Sequence, residues 1–281
     1  PAGHGAAIEA RALGAGVLVV DAGQRAGGQL VKQTHRFFGR YNHGAGVRGF
    51  ELARELEYRA ASTPGVEVWL GSTAVGYFPD GVVAVERADS VALVRPRRLV
   101  VATGARERML PFPNNDLPGV YGAGAVQTLM NLHGVLPGRR GLMVGAGNIG
   151  LIVSYQLLQA GVEVAVVVEA APVVGGYAVH TARLRRAGIP VLTGHGIKAA
   201  LGRDSVEGAV VWRLGPDGRG VPGTEIALEV DFICIAVGLS PAVDLLWQAG
   251  CAMAYVPELG GHVPRRSDDM ETTVPGVFVA G

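Results

Sequence analysis

The stretch Gly141–Gly150 constrains the fold of this chain more than any other part of it. An apolar run, Leu142–Val144, leads into glycines in a G-x-G-x-x-G pattern at Gly145, Gly147 and Gly150. Apolar residues at helical spacing come next, which predicts a strand, a tight turn and a helix. A glycine pattern between a strand and a helix is typical of a βαβ unit whose turn binds a dinucleotide.

The second half of this unit is also present. A further apolar strand, Val162–Val168, ends at Glu169, 24 residues after Gly145. Gly145 permits the turn, Gly147 lets the backbone approach a pyrophosphate, and the last glycine lets helix and strand pack closely. The helix N-terminus adds amide donors and a partial positive charge. The alternative is a βα turn that needs its glycines for geometry alone.

Glu169 predicts NAD rather than NADP. Its carboxylate accepts hydrogen bonds from ribose hydroxyls, whereas a 2′-phosphate would bring a second negative charge to it. Two unit charges about 4 Å apart repel by about 4 kcal/mol at an effective dielectric of about 20. The nucleotide-binding residues predicted in this unit are Gly145, Gly147, Asn148, Ile149, Gly150 and Glu169.

The N-terminal residues resemble the second half of another such unit. Pro1–Leu13 has helical character, and the apolar run Val17–Val20 ends at Asp21. If residues before Pro1 supply the first glycines, Gly3 is the third glycine and Asp21 is the ribose carboxylate. The chain therefore looks truncated at both ends, because it also stops directly after an apolar strand. The alternative is a generic helix–strand pair.

The composition of the chain argues against nucleic-acid binding, a membrane span and a metal site. The chain has 281 residues, enough for two domains, and its net charge of +1 favours no nucleic-acid partner. No apolar run approaches the roughly 20 residues of a membrane span. Its two cysteines, Cys234 and Cys251, and seven scattered histidines form no metal-binding pattern. We therefore expect a cytoplasmic protein with no metal and no membrane partner.

Two other stretches suggest chemistry less specifically. The mixed aromatic and polar run Gln33–Gly39 contains His35, which could relay a proton near a bound cofactor, although a loop histidine is more often a surface or capping residue. Arg183, Arg185 and Arg186 could attract a phosphate, although a solvated helix face is the more common explanation. The sequence identifies no catalytic acid, base or nucleophile.

Taken together, the motifs resemble the two-dinucleotide-binding-domain flavoproteins, the superfamily of thioredoxin reductase and glutathione reductase. The motifs are Pro1-Ala-Gly3, Asp21, Gly27-Gly-Gln29, Ala102-Thr-Gly104, Gly145-x-Gly-x-x-Gly150, Ala236-Val-Gly-x-x-Pro241 and Thr273–Gly281. Disulfide-reducing members carry a C-x-x-C or C-x4-C pair. The two cysteines here lie 17 positions apart, which argues against dithiol chemistry.

The resemblance implies an α/β fold with two three-layer Rossmann-like domains, the NAD domain inserted into the FAD domain. It implies FAD binding by residues 1–111 and 241–281 and NAD binding by residues 112–240. The FAD contacts that it implies are Gly3, Asp21, Gly28, Gln29 and Gly104. Further cofactor contacts are expected from the neighbouring Ala102 and Thr103 and from Gly238 and Gly281 in the two closing motifs.

Three stretches look like a narrower group, which contains the α subunit of sarcosine oxidase, together with subunits of proline and opine dehydrogenases and of hydrogen cyanide synthase. They are Gln33–Gly39, Ala102–Pro113 and Leu117–Gly124. This resemblance implies hydride transfer between flavin and NAD(H) or an amine or imino acid, in a complex with a second flavoprotein subunit. The alternatives are an NADH-dependent reductase that feeds an electron carrier and a non-catalytic nucleotide-binding subunit.

Overall fold

The computed structural model describes residues 1–37 and 44–281. The chain forms two compact units. Unit 1 combines Pro1–Arg106 with Ser240–Gly281, and unit 2 is the continuous stretch Glu107–Leu239. Unit 2 is thus inserted into unit 1. The assignment of one cofactor to each stays a prediction.

The first segment of unit 1 begins with a helix and a parallel strand pair. Its elements are α1 (Ala2–Ala12), β1 (Val17–Val20), α2 (Gly49–Ser62), β2 (Val66–Trp69), β3 (Ser72–Tyr77), β4 (Val83–Arg87), β5 (Ser90–Val94), β6 (Leu99–Val101) and β7 (Ala105–Glu107). Strands β1 and β2 run parallel, with Val17 opposite Val66. Strands β3, β4 and β5 form an antiparallel sheet, and the Pro79–Gly81 turn lies between β3 and β4.

Unit 2 contains the glycine turn. Its elements are β8 (Val120–Gly122), α3 (Ala123–His133), β9 (Arg140–Val144), α4 (Asn148–Gln159), β10 (Glu163–Glu169), α5 (Ala178–Arg186), β11 (Val191–Thr193), β12 (His195–Leu201), β13 (Gly208–Arg213), β14 (Ile226–Leu228) and β15 (Phe232–Ile235). The five-stranded parallel sheet has the order β11-β10-β9-β15-β8. Strands β12, β13 and β14 form a separate antiparallel sheet.

Alternation along the parallel strands produces three layers in unit 2. Met143 and Val167 belong to a cluster that includes Leu151 and Leu157 of α4. Their strand neighbours belong to a second cluster, which includes residues of β12 and β13. Successive strand side chains point to opposite faces, so helices cover one face and the antiparallel sheet covers the other. Burial on both faces explains why these strands are almost wholly apolar.

The chain returns to unit 1 in its last segment. The elements are β16 (Leu239–Pro241), α6 (Asp244–Gln248), β17 (Met253–Val256), β18 (Gly261–Pro264) and β19 (Val277–Val279). Strand β19 lies parallel to β6, with Val277 opposite Leu99, so the end of the chain completes a sheet begun near residue 100. The predicted α/β fold class, with parallel sheets in Rossmann-like units, is confirmed.

Candidate dinucleotide sites

The glycine turn of unit 2 lies where the strand order of the parallel sheet reverses. From β9 the chain moves through α4 to β10 and then β11 on one side, whereas β15 pairs with β9 on the other. Open α/β sheets bind ligands at such a switch point, beyond the carboxyl ends of the strands. Val144 ends β9 and Asn148 begins α4, so residues 145–147 occupy that position.

The three glycines of this turn meet different surroundings. Gly145 has a φ of +109°, and a Cβ there would collide with the carbonyl of Ala236. A Cβ on Gly150 would collide with the carbonyl of Gly145. A Cβ on Gly147 would meet nothing within 4 Å. Two of these glycines therefore serve the packing of the turn, and the third borders open space.

The open space adjoins the start of α4. Gly147 is the N-cap residue and has no side chain to cap the helix. The first amides of a helix lack intrahelical acceptors and suit an anion. Ile149, in the first turn, is an apolar residue that is 41% exposed. Helix α3 differs, because the Glu107 carboxylate accepts hydrogen bonds from the Gly124 and Ala125 amides at its start.

Glu169, at the end of β10, is fixed by two backbone amides. Its Oε2 accepts a hydrogen bond from the Ala146 amide at 2.7 Å, and its Oε1 accepts one from the Ala171 amide at 2.9 Å. An ionised carboxylate has about four lone-pair sites, so each oxygen keeps capacity for one more donor. The structure thus brings the predicted ribose carboxylate directly to the glycine turn.

Sequence reasoning missed a loop that also contacts the turn. The Gly176 amide donates to the Ala146 carbonyl at 3.0 Å, and the Tyr177 amide donates to Asn148 Oδ1 at 2.8 Å. A Cβ on Gly176 would lie 2.5 Å from Leu151 Cδ1 and 3.1 Å from the Asn148 nitrogen. The pair Gly175-Gly176 is the only sequence signal for this approach, and a glycine pair alone does not say what its backbone touches.

In unit 1, several predicted flavin-binding residues gather at the start of α1. A Cβ on Gly3 would lie 3.5 Å from the Ala102 Cβ, and one on Gly28 would lie 3.0 Å from the ring of Pro1. A Cβ on Gly281 would lie 3.6 Å from the Cβ of Ala2. Residues that are far apart in sequence therefore surround one helix N-terminus with small side chains.

Asp21 is the first residue after β1, and Glu169 is the last residue of β10. The Oδ1 of Asp21 accepts a hydrogen bond at 2.8 Å from the amide of Gly23, two residues later. Glu169 makes the same contact with the residue two positions after it. In both units, then, a carboxylate at the end of a parallel strand is turned back onto the following loop.

The remaining residues that were predicted to contact FAD or NAD do not gather at the start of α1. Thr103 Oγ1 donates to the Ala242 carbonyl, and the Ala242 amide donates to the Gly104 carbonyl at 2.9 Å. Gly104 has a φ of +72° and open space at its Cβ position. The side chain of Gln29 is exposed. Gly238 falls within unit 2.

His35 and the cysteines can be placed as well. The His35 ring packs edge-on against Phe37, with centroids 5.0 Å apart, while the last two residues of the Gln33–Gly39 motif lie outside the described residues. Cys234 and Cys251 are both free and buried, in unit 2 and unit 1 respectively. Burial raises the pKa of the Cys234 thiol far above its ordinary value, which keeps it protonated.

The residues present fit a dinucleotide in each unit. Each unit combines a helix N-terminus next to small residues with a carboxylate at the end of the neighbouring parallel strand. Open space at Gly147 and Gly104 leaves room for a ligand to approach the backbone. Within residues 1–37 and 44–281, no three His, Cys, Asp or Glu side chains cluster in a way that suits a metal ion.

Comparison with known proteins gives matches over the whole chain. A family model described as pyridine nucleotide-disulphide oxidoreductase matches residues 1–281. An opine oxidase subunit of Agrobacterium tumefaciens is 29% identical over 100% of this chain and 59% of its own length. The sarcosine oxidase α subunit of Rhizobium meliloti is 34% identical over 62% of this chain and 18% of its own length. The chain thus spans under two thirds of either relative.

A solved structure gives the same architecture. Thioredoxin reductase from T. acidophilum superposes with a TM-score of 0.78 at 21% identity, covering 99% of this chain and 86% of that protein. At this identity the likeness concerns the fold alone. Among the helices of the described residues, none has the length and apolarity needed to cross a bilayer.

Proposed function

Because the chain belongs to the pyridine nucleotide-disulphide oxidoreductase family, we propose that it is the FAD- and NAD-binding part of an oxidoreductase that acts on amines or imino acids. FAD and NAD(P) are the cofactors of this family. The observation that carries the proposal is the contact between the Glu169 carboxylate and the Ala146 amide, next to the open Cβ position of Gly147. A turn that needed glycines for geometry alone would not require a carboxylate beside it.

In this proposal unit 2 binds NAD and unit 1 binds FAD. The amides at the start of α4 bind the pyrophosphate of NAD, and Glu169 accepts the hydroxyls of its adenosine ribose. In unit 1, the start of α1 and Asp21 play the same parts toward FAD, with Gly28 and Gly104 bordering it. The cofactors supply the hydride chemistry, and the protein binds and orients them.

The substrate class is proposed from the relatives. Opine oxidase and sarcosine oxidase are named for substrates with a C–N bond, and both relatives are subunits of larger enzymes. We therefore propose an amine or imino acid as electron donor, and we propose that the partner is a second flavoprotein subunit. The relatives extend well beyond this chain, so the residues that contact the substrate need not all lie within it.

Flavin reduction tests the proposal directly. Full-length, flavin-loaded protein is mixed in a stopped-flow instrument with sarcosine, proline, an opine or NADH, and the visible flavin band is followed. Bleaching by an amine or imino acid supports the amine-oxidising function. If none of the amines or imino acids bleaches the flavin of protein that holds both flavin and its partner subunit, the amine-oxidising function is contradicted.

The complete nucleotide turn of unit 2 favours a second candidate, an NADH-dependent reductase that passes electrons to a carrier. Strand β9 ends at Val144 and α4 begins at Asn148, so strand and helix are joined by a short glycine turn of the kind that is typical of dinucleotide sites. Bleaching by NADH and by no amine would select this function. Tight nucleotide binding by a protein that never retains flavin would instead indicate a non-catalytic subunit.

A further inference from the structure

We propose that the loop Glu169–Tyr177 is fastened to the glycine turn at both ends, and that this fastening, through Asn148 and Gly176, sets the selectivity of unit 2 for NAD over NADP. We call this segment the clasp loop. The inference rests on the proposed nucleotide site. It assigns a positioning role to two residues whose part in nucleotide selection the G-x-G-x-x-G pattern does not reveal.

Two of the hydrogen bonds between the clasp loop and the turn are made by one residue, Ala146. Ala146 is fully buried, and both of its backbone polar groups bind the clasp loop. Its amide donates to Glu169 at the first residue of the loop, and its carbonyl accepts from Gly176 near the last. The clasp loop is therefore closed into a ring on the residue between the first two glycines of the motif.

Asn148 supplies the third contact. It is the first residue of α4, and its Oδ1 accepts the Tyr177 amide at 2.8 Å. An oxygen used in this way points toward the clasp loop, and the backbone amide of Asn148 stays at the helix N-terminus. The side chain thus positions the loop, whereas the backbone is the proposed phosphate contact.

Gly176 permits the close approach. Its φ is not in the left-handed region, so backbone strain is not the reason for a glycine here. The reason is space, because a Cβ would press on the Leu151 side chain and on the backbone of Gly147 and Asn148. At Gly175, a Cβ would meet nothing within 4 Å. The two adjacent glycines therefore offer a disruptive substitution and a matched control.

The consequence for selectivity follows from the carboxylate. Glu169 is oriented by the Ala146 and Ala171 amides, and the Ala171 carbonyl accepts in turn from the Gly194 amide at 3.0 Å. A carboxylate held in this way is preorganised for a ribose diol, which favours NAD. It also cannot swing away from a 2′-phosphate, which disfavours NADP. Releasing the clasp loop should weaken NADH binding and reduce the discrimination against NADPH.

The experiment compares three variants of the full-length, flavin-loaded protein. Dissociation constants of NADH and NADPH are measured by titration for the wild type, Gly176→Ala, Asn148→Ala and Gly175→Ala. We expect the wild type to prefer NADH by at least about tenfold. Gly176→Ala and Asn148→Ala should each weaken NADH binding by about tenfold and bring the two dissociation constants closer together. Gly175→Ala should keep the wild-type ratio.

The ratio of the NADPH and NADH dissociation constants distinguishes a positioning role of the clasp loop from a direct contact with the nucleotide. Loss of a direct phosphate contact would weaken both nucleotides equally and leave the ratio unchanged. An unchanged ratio in Asn148→Ala, which removes only a side-chain acceptor, overturns the clasp proposal even if Gly176→Ala fails to fold. A wild-type protein that binds neither nucleotide overturns the proposed function instead, so the two failures are distinct.

Discussion

At the scale of single residues, Gly147 and Gly150 belong to one motif but have opposite surroundings. The Gly147 Cβ position is open, whereas the Gly150 position is blocked by the carbonyl of Gly145. The same substitution should therefore have two different effects. Ligand binding should be sensitive at the first residue and folding at the second.

We predict that Gly147→Ala leaves the free energy of unfolding within about 0.5 kcal/mol of wild type and weakens NADH binding by at least tenfold. Gly150→Ala should lower the free energy of unfolding by about 2 kcal/mol or more, because backbone atoms must move. Urea unfolding and NADH titration check both. A Gly147→Ala protein with unchanged NADH affinity would show that the ligand does not approach this face of the turn.

Two buried histidines should make the protein less stable in acid. Burial lowers the pKa of His180, with Arg183 adding to the effect, and burial is also the main cause of the lowered pKa of His4. Below about pH 6.5 an unfolded histidine takes up a proton that the folded one does not. The unfolded state then binds more protons, so the free energy of unfolding falls as the pH falls through that range.

The expected slope is at most about 1.4 kcal/mol per pH unit for each histidine. Urea unfolding of wild type and His180→Gln between pH 7.5 and 5.5 measures it. The variant should lose less stability over this range, and a second substitution, His4→Gln in the other unit, should reduce the loss further. Equal losses in all three proteins would show that other groups control the acid dependence.

At the scale of single elements, α3 and α4 both begin beside parallel strands, but only the N-terminus of α3 is capped by a side chain. Glu107 caps α3, and Gly147 leaves α4 open. An occupied terminus contributes to stability, and an open one is available for a ligand. This contrast favours α4 over α3 as the helix that would bind an anion in unit 2.

We predict that Glu107→Ala lowers the free energy of unfolding by about 1 kcal/mol, the usual cost of losing a cap, without changing NADH affinity. Glu86→Ala, at an exposed position of β4, is the control and should have little effect on stability. Chemical denaturation and NADH titration give both quantities. A large loss of NADH affinity in Glu107→Ala would place Glu107 in the nucleotide site.

The elements that could be predicted from sequence are those with local signals. The β9–α4–β10 unit follows from an apolar run, three glycines and a helical period, all within 30 consecutive residues. The contacts of the clasp loop could not be predicted, because they join residues 23 to 30 positions apart and each involves a backbone amide, which leaves no pattern in the sequence. Strand β12 was also missed, since it contains glycine and lysine and reads as loop.

At the scale of the whole molecule, each unit has its own hydrophobic core. The two large clusters lie in unit 2, whereas a smaller one around Leu246 and Val277 lies in unit 1. A ligand that binds one unit stabilises that unit first, by about 2.7 kcal/mol at a concentration 100 times its dissociation constant. Ligand effects should therefore be local to a unit.

Hydrogen exchange can test this separation. Adding NADH should slow the exchange of amides in residues 140–177 and leave strands β1 and β2 largely unchanged. Removing FAD should speed the exchange of β1, β2 and α1. Protection of β1 and β2 by NADH, with none in residues 140–177, would reverse the assignment of cofactors to the two units.

Of the predictions that concern the whole molecule, some are confirmed and others stay predictions. The fold class and the family are confirmed, because glycine and carboxylate motifs recur in both halves of the chain and their spacing is fixed by the βαβ geometry. The individual cofactor contacts, the substrate and the partner stay predictions. Strand and turn patterns in the sequence predict where a nucleotide would bind, but they carry no signal for the groups that face its reactive end.

The hydrogen bond between the Ala242 amide and the Gly104 carbonyl has a consequence for how such proteins arise. It shows that the polypeptide leaves unit 1 and re-enters it at neighbouring points. A module whose two attachment points touch can be exchanged for another without rethreading its host. Recombination could therefore exchange the inserted unit for another while the host unit keeps its own fold.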